Sequence, residues 1–217
     1  MVVLKYTFEQ SYTGSLIISL FASEKLELSQ YDALIFDCDG TLTHSMHLHY
    51  VAWRDTVAKY GIVFKEKDFY DMAGMPSDKV IQKLATEQKV ELDDHKSILV
   101  QKEDCFLQNI SQLEPFPFTV DIARANHGLK PMAVASGGDF PVVTAQLNHL
   151  GIIELFDTIV TAEHTKNHKP HPDVFLEAAR RVDTVPEKCL VFEDGDLGIE
   201  AAKRANMDFV DVRKHFH

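Results

Sequence analysis

The chain has 217 residues, of which 45% are hydrophobic and 25% are charged. This composition is too apolar for an intrinsically disordered protein and too charged for one that lies mostly within a membrane. Its 22 Lys and Arg residues against 33 Asp and Glu residues give a formal net charge of −11, which argues against a nucleic acid partner, since such binding needs a basic surface. We therefore expect a folded protein that needs local positive charge to hold an anionic ligand.

The N-terminal segment, residues 1–27, precedes the first predicted buried strand. Its longest apolar stretch, Leu16–Phe21, is far shorter than the roughly 20 residues that span a bilayer, and the basic start of a secretory signal is missing. Leu16–Leu20 could form an extra strand or an arm that contacts a partner, but an upstream start without function is equally consistent with the sequence. The role of this segment stays open.

The cysteines indicate a reducing compartment. They are three in number, widely spaced and without a CxxC pair: Cys38, Cys105 and Cys189. An odd, scattered set does not suit a disulfide framework and is typical of small buried hydrophobic residues. We expect a cytoplasmic monomer that binds neither membrane nor nucleic acid.

Four short apolar runs lead into polar residues or loops that can take part in chemistry. They are Ala33–Phe36, Met132–Ala135, Thr158–Thr161 and Leu190–Phe192. Continuous apolar runs of this length are typical of strands buried on both faces of a parallel sheet. A fifth run, Phe209–Val212, alternates and predicts an edge strand.

Helical patterns separate the later strands, over residues 140–150, 172–182 and 199–205. Strands that alternate with helices indicate βαβ units and an α/β fold with a doubly wound parallel sheet. Ligands of such sheets bind at the carboxyl ends of the strands. The polar residues that follow the strands should therefore meet at one edge.

The interval from residue 45 to residue 114 interrupts this alternation with helical patterns alone. About seventy residues are too many for a connection, and they predict an inserted helical cap above the sheet edge. The catalytic core would then consist of residues 28–44 and 115–217. The cap helices are predicted over residues 48–60, 65–73, 77–89 and 93–112.

The sharpest motif is the segment from Asp37 to Leu42, DCDGTL, directly after the first buried strand. Two carboxylates two residues apart, Asp37 and Asp39, can act as nucleophile and as acid or base on one substrate. Gly40, followed by Thr41, allows a tight turn whose backbone N–H groups can face a phosphate. An Asp-rich turn without chemistry is the alternative.

The other strand ends supply the remaining parts of a phosphate site. Ser136 and Gly137 offer a hydroxyl and flexible backbone donors, and Lys169 offers a positive charge. Glu193 and Asp194 offer the oxygen ligands that Mg²⁺ prefers. The order along the chain is nucleophile, anion cradle, counter-charge and metal site.

This ordered set resembles the haloacid dehalogenase superfamily over residues 30–213. The segments 165–173 and 192–202 are similar to the helical-cap subgroup that contains β-phosphoglucomutase. Together with the ending at 207–213, they resemble even more the fructose-1-phosphate and 6-phosphogluconate phosphatases. The resemblance implies a Rossmann-like core with a cap.

The resemblance also implies roles for the motif residues. Asp37 would form an aspartyl-phosphate, and Asp39 would protonate the leaving sugar oxygen and then activate water. Ser136 and Lys169 would hold the phosphoryl group. Mg²⁺ would bind at the Asp37 carboxylate, the Asp39 backbone carbonyl, Asp194 and, directly or through a contact, Glu193.

Three cap residues concern the substrate. His49 matches a position where the mutase has a histidine near the substrate, although a solvated helix end is an alternative. Ser77 stands where the mutases carry an Arg that holds a distal phosphate, and Lys79 could replace that Arg without its bidentate geometry. This loop favours hydrolysis over isomerisation.

We therefore expect a Mg²⁺-dependent phosphatase that acts on a small sugar phosphate of the fructose 1-phosphate or 6-phosphogluconate type. A β-phosphoglucomutase-type isomerase is the first alternative. A non-catalytic sugar-phosphate-binding protein is a more remote one, since a fold does not by itself confer activity.

Overall fold

Five parallel strands form the central sheet of the computed structural model, which describes residues 7–10, 16–19, 25–72 and 75–215. Three short antiparallel strands precede this sheet: β1 Thr7–Gln10, β2 Leu16–Ser19 and β3 Lys25–Glu27. The central strands are β4 Ala33–Phe36, β5 Met132–Ala135, β6 Thr158–Val160, β7 Cys189–Glu193 and β8 Asp208–Asp211. The predicted α/β fold with a parallel sheet is confirmed.

The described residues contain eight α-helices. They are α1 Met46–Ala58, α2 Glu66–Asp71, α3 Ser77–Gln88, α4 His95–Gln108, α5 Pro117–Asn126, α6 Phe140–His149, α7 Asp173–Arg181 and α8 Asp196–Arg204. The predicted helix over 93–112 is shorter, because a 3₁₀ turn, Ile110–Gln112, follows it. Helix α5 was not predicted from the sequence, although Pro117 is its first residue, a position that suits proline.

The central strands are buried on both faces, as their apolar runs predict. Phe36 and Val134 pack against α5 and α6 on one face, whereas Ile35 and Val191 pack against α7 and α8 on the other. Successive side chains of a strand point to opposite faces, so both must be apolar when helices cover both. The result is a three-layer arrangement with the sheet in the middle.

The strand order places β4 at the centre of the sheet, in the order β6-β5-β4-β7-β8. The chain runs from β4 to β5 and β6 on one side and then crosses to β7 and β8 on the other. The direction of winding therefore changes at β4, and a ligand crevice forms at such a switch point, outside the carboxyl ends of the strands. Asp37 follows β4 at this point.

Helices α1 to α4 have an apolar cluster of their own, formed by residues such as Trp53, Phe64, Phe69, Ile81 and Ile98. A second, smaller cluster joins α1 and α4 to helix α6 of the sheet layer, through Leu48, Ala52, Phe106, Leu113 and Val142. These helices therefore pack as a unit that is anchored next to the carboxyl edge of the sheet.

Parts of the sequence predictions fall outside the described residues. The proposed strand or arm over Leu16–Leu20 is described only as β2, and the last residue of the predicted helix over 65–73 lies outside the described ranges. Within those ranges, no helix combines the length and apolar character that crossing a bilayer requires.

Candidate active site

The polar residues that follow the strands surround one cavity of about 390 Å³ between the sheet edge and helices α1, α3 and α4. The predicted site residues among its lining are Asp37, Asp39, His49, Ser77, Ser136, Gly137, Lys169, Glu193 and Asp194. Residues that are up to 157 positions apart in the sequence thus meet because their strands are parallel neighbours.

Lys169 lies at the centre of the charged groups. Its Nζ donates to Asp37 Oδ1 at 2.6 Å and to Glu193 Oε2 at 2.7 Å, and it lies 4.9 Å from the centre of the Phe175 ring. Burial opposes the charged form of Lys169, but Asp37 and Glu193 outweigh it and raise its pKa above the ordinary value. The ammonium group therefore stays charged at neutral pH.

Both carboxylate oxygens of Glu193 accept hydrogen bonds. Its Oε2 accepts the bond from Lys169, while its Oε1 accepts the backbone N–H groups of Asp194, at 3.2 Å, and Gly195, at 2.8 Å. Helix α8 approaches the carboxylate so closely that a Cβ on Gly198 would lie 2.0 Å from Oε2. Only glycine fits at this position without displacing Glu193.

Asp37, Glu193 and Asp194 form a cluster in which one oxygen of each lies within 4.8 Å of the others. Burial, and next the charge of Glu193, raise the pKa of Asp37 well above its ordinary value and that of Asp194 to about 7. A divalent cation among these oxygens would favour the charged carboxylates instead, and an all-oxygen donor set suits Mg²⁺. The residues therefore fit the predicted metal.

Gly40 and Thr41 do not offer their backbone N–H groups to a ligand, contrary to the expectation from the motif. Gly40 N–H donates to the Thr43 carbonyl at 2.9 Å, and Thr41 N–H donates to the Cys38 carbonyl at 3.3 Å. Gly40 has a φ of 85°, and a Cβ on it would lie 2.2 Å from Asp194 Oδ2. Thr41 Oγ1 donates to Asp194 Oδ1 at 3.0 Å. Both residues thus position Asp194.

Asp39 receives three hydrogen bonds on a single oxygen, Oδ1. The donors are Ser45 Oγ at 2.6 Å, His49 Nε2 at 2.9 Å and Gln146 Nε2 at 2.9 Å. Burial by itself would raise the pKa of Asp39, but the contacts with His49, Ser45 and Gln146 outweigh it and hold this pKa well below its ordinary value. The sequence analysis did not identify Ser45 or Gln146.

Lys102 is another residue that the sequence analysis missed. It is only 3% exposed, and its Nζ lies 3.0 Å from His49 Nδ1 and 2.9 Å from Glu103 Oε1. Since an ammonium can only donate, His49 accepts at Nδ1 and carries its proton at Nε2, which donates to Asp39. His49 also stacks on Phe106, with ring centres 4.0 Å apart, so it is not a solvated helix end.

The two predicted residues of the cap loop differ in position. Ser77, the first residue of α3, lines the cavity, whereas Lys79 does not. The Lys79 side chain is 61% exposed and lies 3.7 Å from Asp78. Lys79 thus lies outside the cavity lining in this arrangement.

Comparisons with known proteins identify the family and relatives of this chain. The family model of haloacid dehalogenase-like hydrolases matches residues 34–212. Fructose-1-phosphate phosphatase YqaB of Escherichia coli (strain K12) is 39% identical over 85% of this chain and 97% of its own length.

Solved structures show the same similarity. A β-phosphoglucomutase from Clostridium difficile matches with a TM-score of 0.75 and 27% identity, over 82% of this chain and 83% of that one. CbbY from Rhodobacter sphaeroides, solved in complex with xylulose-(1,5)bisphosphate, matches with a TM-score of 0.76 and 25% identity, over 82% of this chain and 84% of that one.

The close approach of α8 to Glu193 predicts that Gly198→Ala destabilises the protein. In an open helix this change would be favourable by about 1 kcal/mol, but here the new methyl group must displace a buried carboxylate, at a cost of about 1–3 kcal/mol. Urea unfolding measures the difference. Gly137→Ala, in a loop, is the control for an added methyl group in open space, because a Cβ there meets nothing within 4 Å. A Gly198→Ala protein more stable than the unmodified one would contradict the described contact.

Proposed function

We propose that this chain, which belongs to the haloacid dehalogenase-like hydrolase family and is a phosphoric monoester hydrolase, is a Mg²⁺-dependent phosphatase. The proposed substrate is a small sugar phosphate without a further charge, such as fructose 1-phosphate. One observation carries the proposal: Asp37, paired with Lys169, faces the same cavity as Asp39, whose carboxylate is held by three donors. This arrangement supplies a nucleophile and an acid or base beside a fixed positive charge.

In the proposed mechanism the Asp37 carboxylate attacks phosphorus, and the bond from phosphorus to the sugar oxygen breaks. Asp39 acts here in its protonated form, which its low pKa makes the minor form before substrate binds, and it gives that proton to the leaving oxygen. The sugar departs as an alcohol and an aspartyl-phosphate remains. Asp39 then takes a proton from a water molecule that attacks phosphorus. Inorganic phosphate leaves, and Asp37 is regenerated.

Lys169 and Ser136 would bind the phosphoryl oxygens during both steps. Ser136 is only 1% exposed, and its Oγ accepts the Gly138 N–H at 3.0 Å, which leaves its own proton free for a phosphoryl oxygen. Asp37, Asp194 and the Asp39 backbone carbonyl would hold Mg²⁺, with Glu193 beside them, and the ion would neutralise charge on the transferring group. Positioning and neutralisation are what this chemistry requires.

We also propose that residues 45–114 act as a cap over a core formed by residues 28–44 and 115–217. The separate apolar cluster of α1 to α4 and the position of these helices above the cavity support this division. His49 of α1 and the paired Lys102 of α4 bring cap groups to Asp39. Such a cap would close over bound substrate and restrict the access of water to the site.

The charges of the lining favour a substrate with one phosphate and no second anionic group. Both lysines of the lining are already paired with carboxylates, Lys169 with Asp37 and Lys102 with Glu103. Glu103 Oε2 has no hydrogen-bond partner among the described residues and can accept one from a sugar hydroxyl. Asp139 lines the cavity too, and burial and the charge of Glu103 raise its pKa.

Replacement of the two catalytic carboxylates should have unequal effects. Asp37→Asn removes the nucleophile, so we expect no measurable turnover. Asp39→Asn removes only acid and base assistance and should lower kcat by about 10²–10⁴-fold. Phosphate release by purified variants measures both, and circular dichroism checks that each is folded. Substantial turnover by Asp37→Asn would contradict the covalent mechanism.

Removal of divalent cations should abolish activity. EDTA would leave Asp37, Glu193 and Asp194 as unneutralised neighbours of an anionic substrate, and added Mg²⁺ should restore the rate. Ca²⁺ should not, because it takes more ligands at longer distances and disturbs the in-line geometry. Phosphate release by dialysed protein with and without each ion is the measurement, and full activity without metal would refute the assignment.

Product identity separates the phosphatase from the mutase alternative. With Ser77 on the cap side and no unpaired lysine in the lining, a distal phosphate is not held. If β-glucose 1-phosphate is accepted as a substrate, its conversion to inorganic phosphate should be faster than its conversion to glucose 6-phosphate. Added glucose 1,6-bisphosphate should not stimulate turnover. Fructose 1-phosphate should have a higher kcat/KM than 6-phosphogluconate, whose carboxylate meets Glu103 and Asp139. Faster formation of glucose 6-phosphate would support the mutase.

A further inference from the structure

A glutamine from the sheet layer contacts the proposed acid and base. Gln146 of α6 is fully buried, with 0% of its surface exposed, on a helix whose neighbouring side chains Val143 and Leu147 belong to the apolar core. A buried amide is costly unless its nitrogen and its oxygen are both hydrogen-bonded. Its contacts therefore indicate what the residue does.

The contacts of Gln146 fix the orientation of its amide. The carboxylate of Asp39 can only accept, so the group that faces it at 2.9 Å is the amide nitrogen, Nε2. The amide oxygen, Oε1, accepts the Thr43 hydroxyl at 2.9 Å. Thr43 is itself fully buried and belongs to the same loop as Asp39. Gln146 thus joins α6 to both ends of this loop.

Gln146 differs from the other two donors to Asp39 in its place in the fold. Ser45 precedes α1 and His49 lies within it, so both belong to the helical segment 45–114, whereas Gln146 belongs to the helices that cover the sheet. All three donate to Oδ1. The other oxygen, Oδ2, lies on the side of Gly138, where a Cβ would be 3.5 Å away.

We propose that Gln146 is a positioning residue for the phosphatase reaction, which holds Asp39 by Oδ1 from the sheet layer and so presents Oδ2 to the oxygen of the leaving group. The inference rests on the proposed function, because it assigns to Asp39 the role of proton donor. The hydrogen bond from Gln146 to Asp39 does not depend on the cap, because Gln146 belongs to α6.

The test compares two substrates that differ in their need for a proton. Fructose 1-phosphate releases a basic alkoxide that must be protonated, whereas p-nitrophenyl phosphate releases a phenolate that leaves without help. The value of kcat/KM includes only the steps up to release of the alcohol. Gln146→Met, similar in length but without the amide, should lower kcat/KM about 10²-fold for fructose 1-phosphate and less than about 5-fold for p-nitrophenyl phosphate.

Two further variants separate positioning from a structural effect. Thr43→Val keeps the shape of the side chain but removes the hydroxyl that orients Gln146, so it should show the same substrate-selective loss to a smaller degree. In the double variant, the fold-decrease in kcat/KM for fructose 1-phosphate should be smaller than the product of the two single fold-decreases. The reason is that both changes break the same chain of hydrogen bonds from Thr43 through Gln146 to Asp39. Leu147→Met, at a buried neighbour on α6 whose apolar side chain forms no hydrogen bond to Asp39, should leave both values unchanged.

Each outcome decides the inference. Equal losses with the two substrates, or no loss from Gln146→Met, would overturn it while the phosphatase assignment stands. If Gln146→Met does not fold, the Thr43→Val variant decides by the same comparison of substrates. Hydrolysis of neither substrate by the unmodified protein would overturn the proposed function and this inference with it.

Discussion

The interaction on which the site depends is the pairing of one buried ammonium group, that of Lys169, with two buried carboxylates. Asp37 and Glu193 end neighbouring strands, and Asp194 follows at once, so the sheet brings three acidic groups together in a chain of net charge −11. Without a cation such a cluster would be strongly destabilising, because each charge is removed from water. Lys169 offsets part of this free-energy cost. A divalent ion, which the carboxylate oxygens suit as ligands, would offset the rest.

The parallel sheet explains why these groups meet in one place. Apolar side chains fill both faces of β4, β5 and β7, so polar groups can occur only where the strands end. The switch in winding at β4 opens a crevice at that end, and Asp37 lies in it. Gly40 and Gly198 then permit the close approach of the first loop to Asp194 and of helix α8 to Glu193, where any side chain would collide.

Asp39 connects the two halves of the cavity. Its Oδ1 accepts bonds from Ser45 and His49 on the helical side and from Gln146 on the sheet side, and Lys102 fixes the tautomer of His49 from a second helix. Phe106 supports this arrangement because it stacks on His49 and belongs to the apolar cluster that anchors α1 and α4 to α6. Packing of the helices and placement of the acid and base are therefore linked.

Local patterns in the sequence predicted the parallel sheet and the meeting of Asp37, Asp39, Lys169 and Asp194, because a strand buried on both faces has a distinct apolar run and its end has a defined place in the fold. Only the tertiary structure revealed that Gln146 and Lys102 reach Asp39 and His49, that Gly40 and Thr41 turn toward Asp194, and that Lys79 faces solvent. Such contacts join residues far apart in the chain, and the direction of a side chain on a helix or in a turn depends on its packed neighbours. No short-range pattern contains that information.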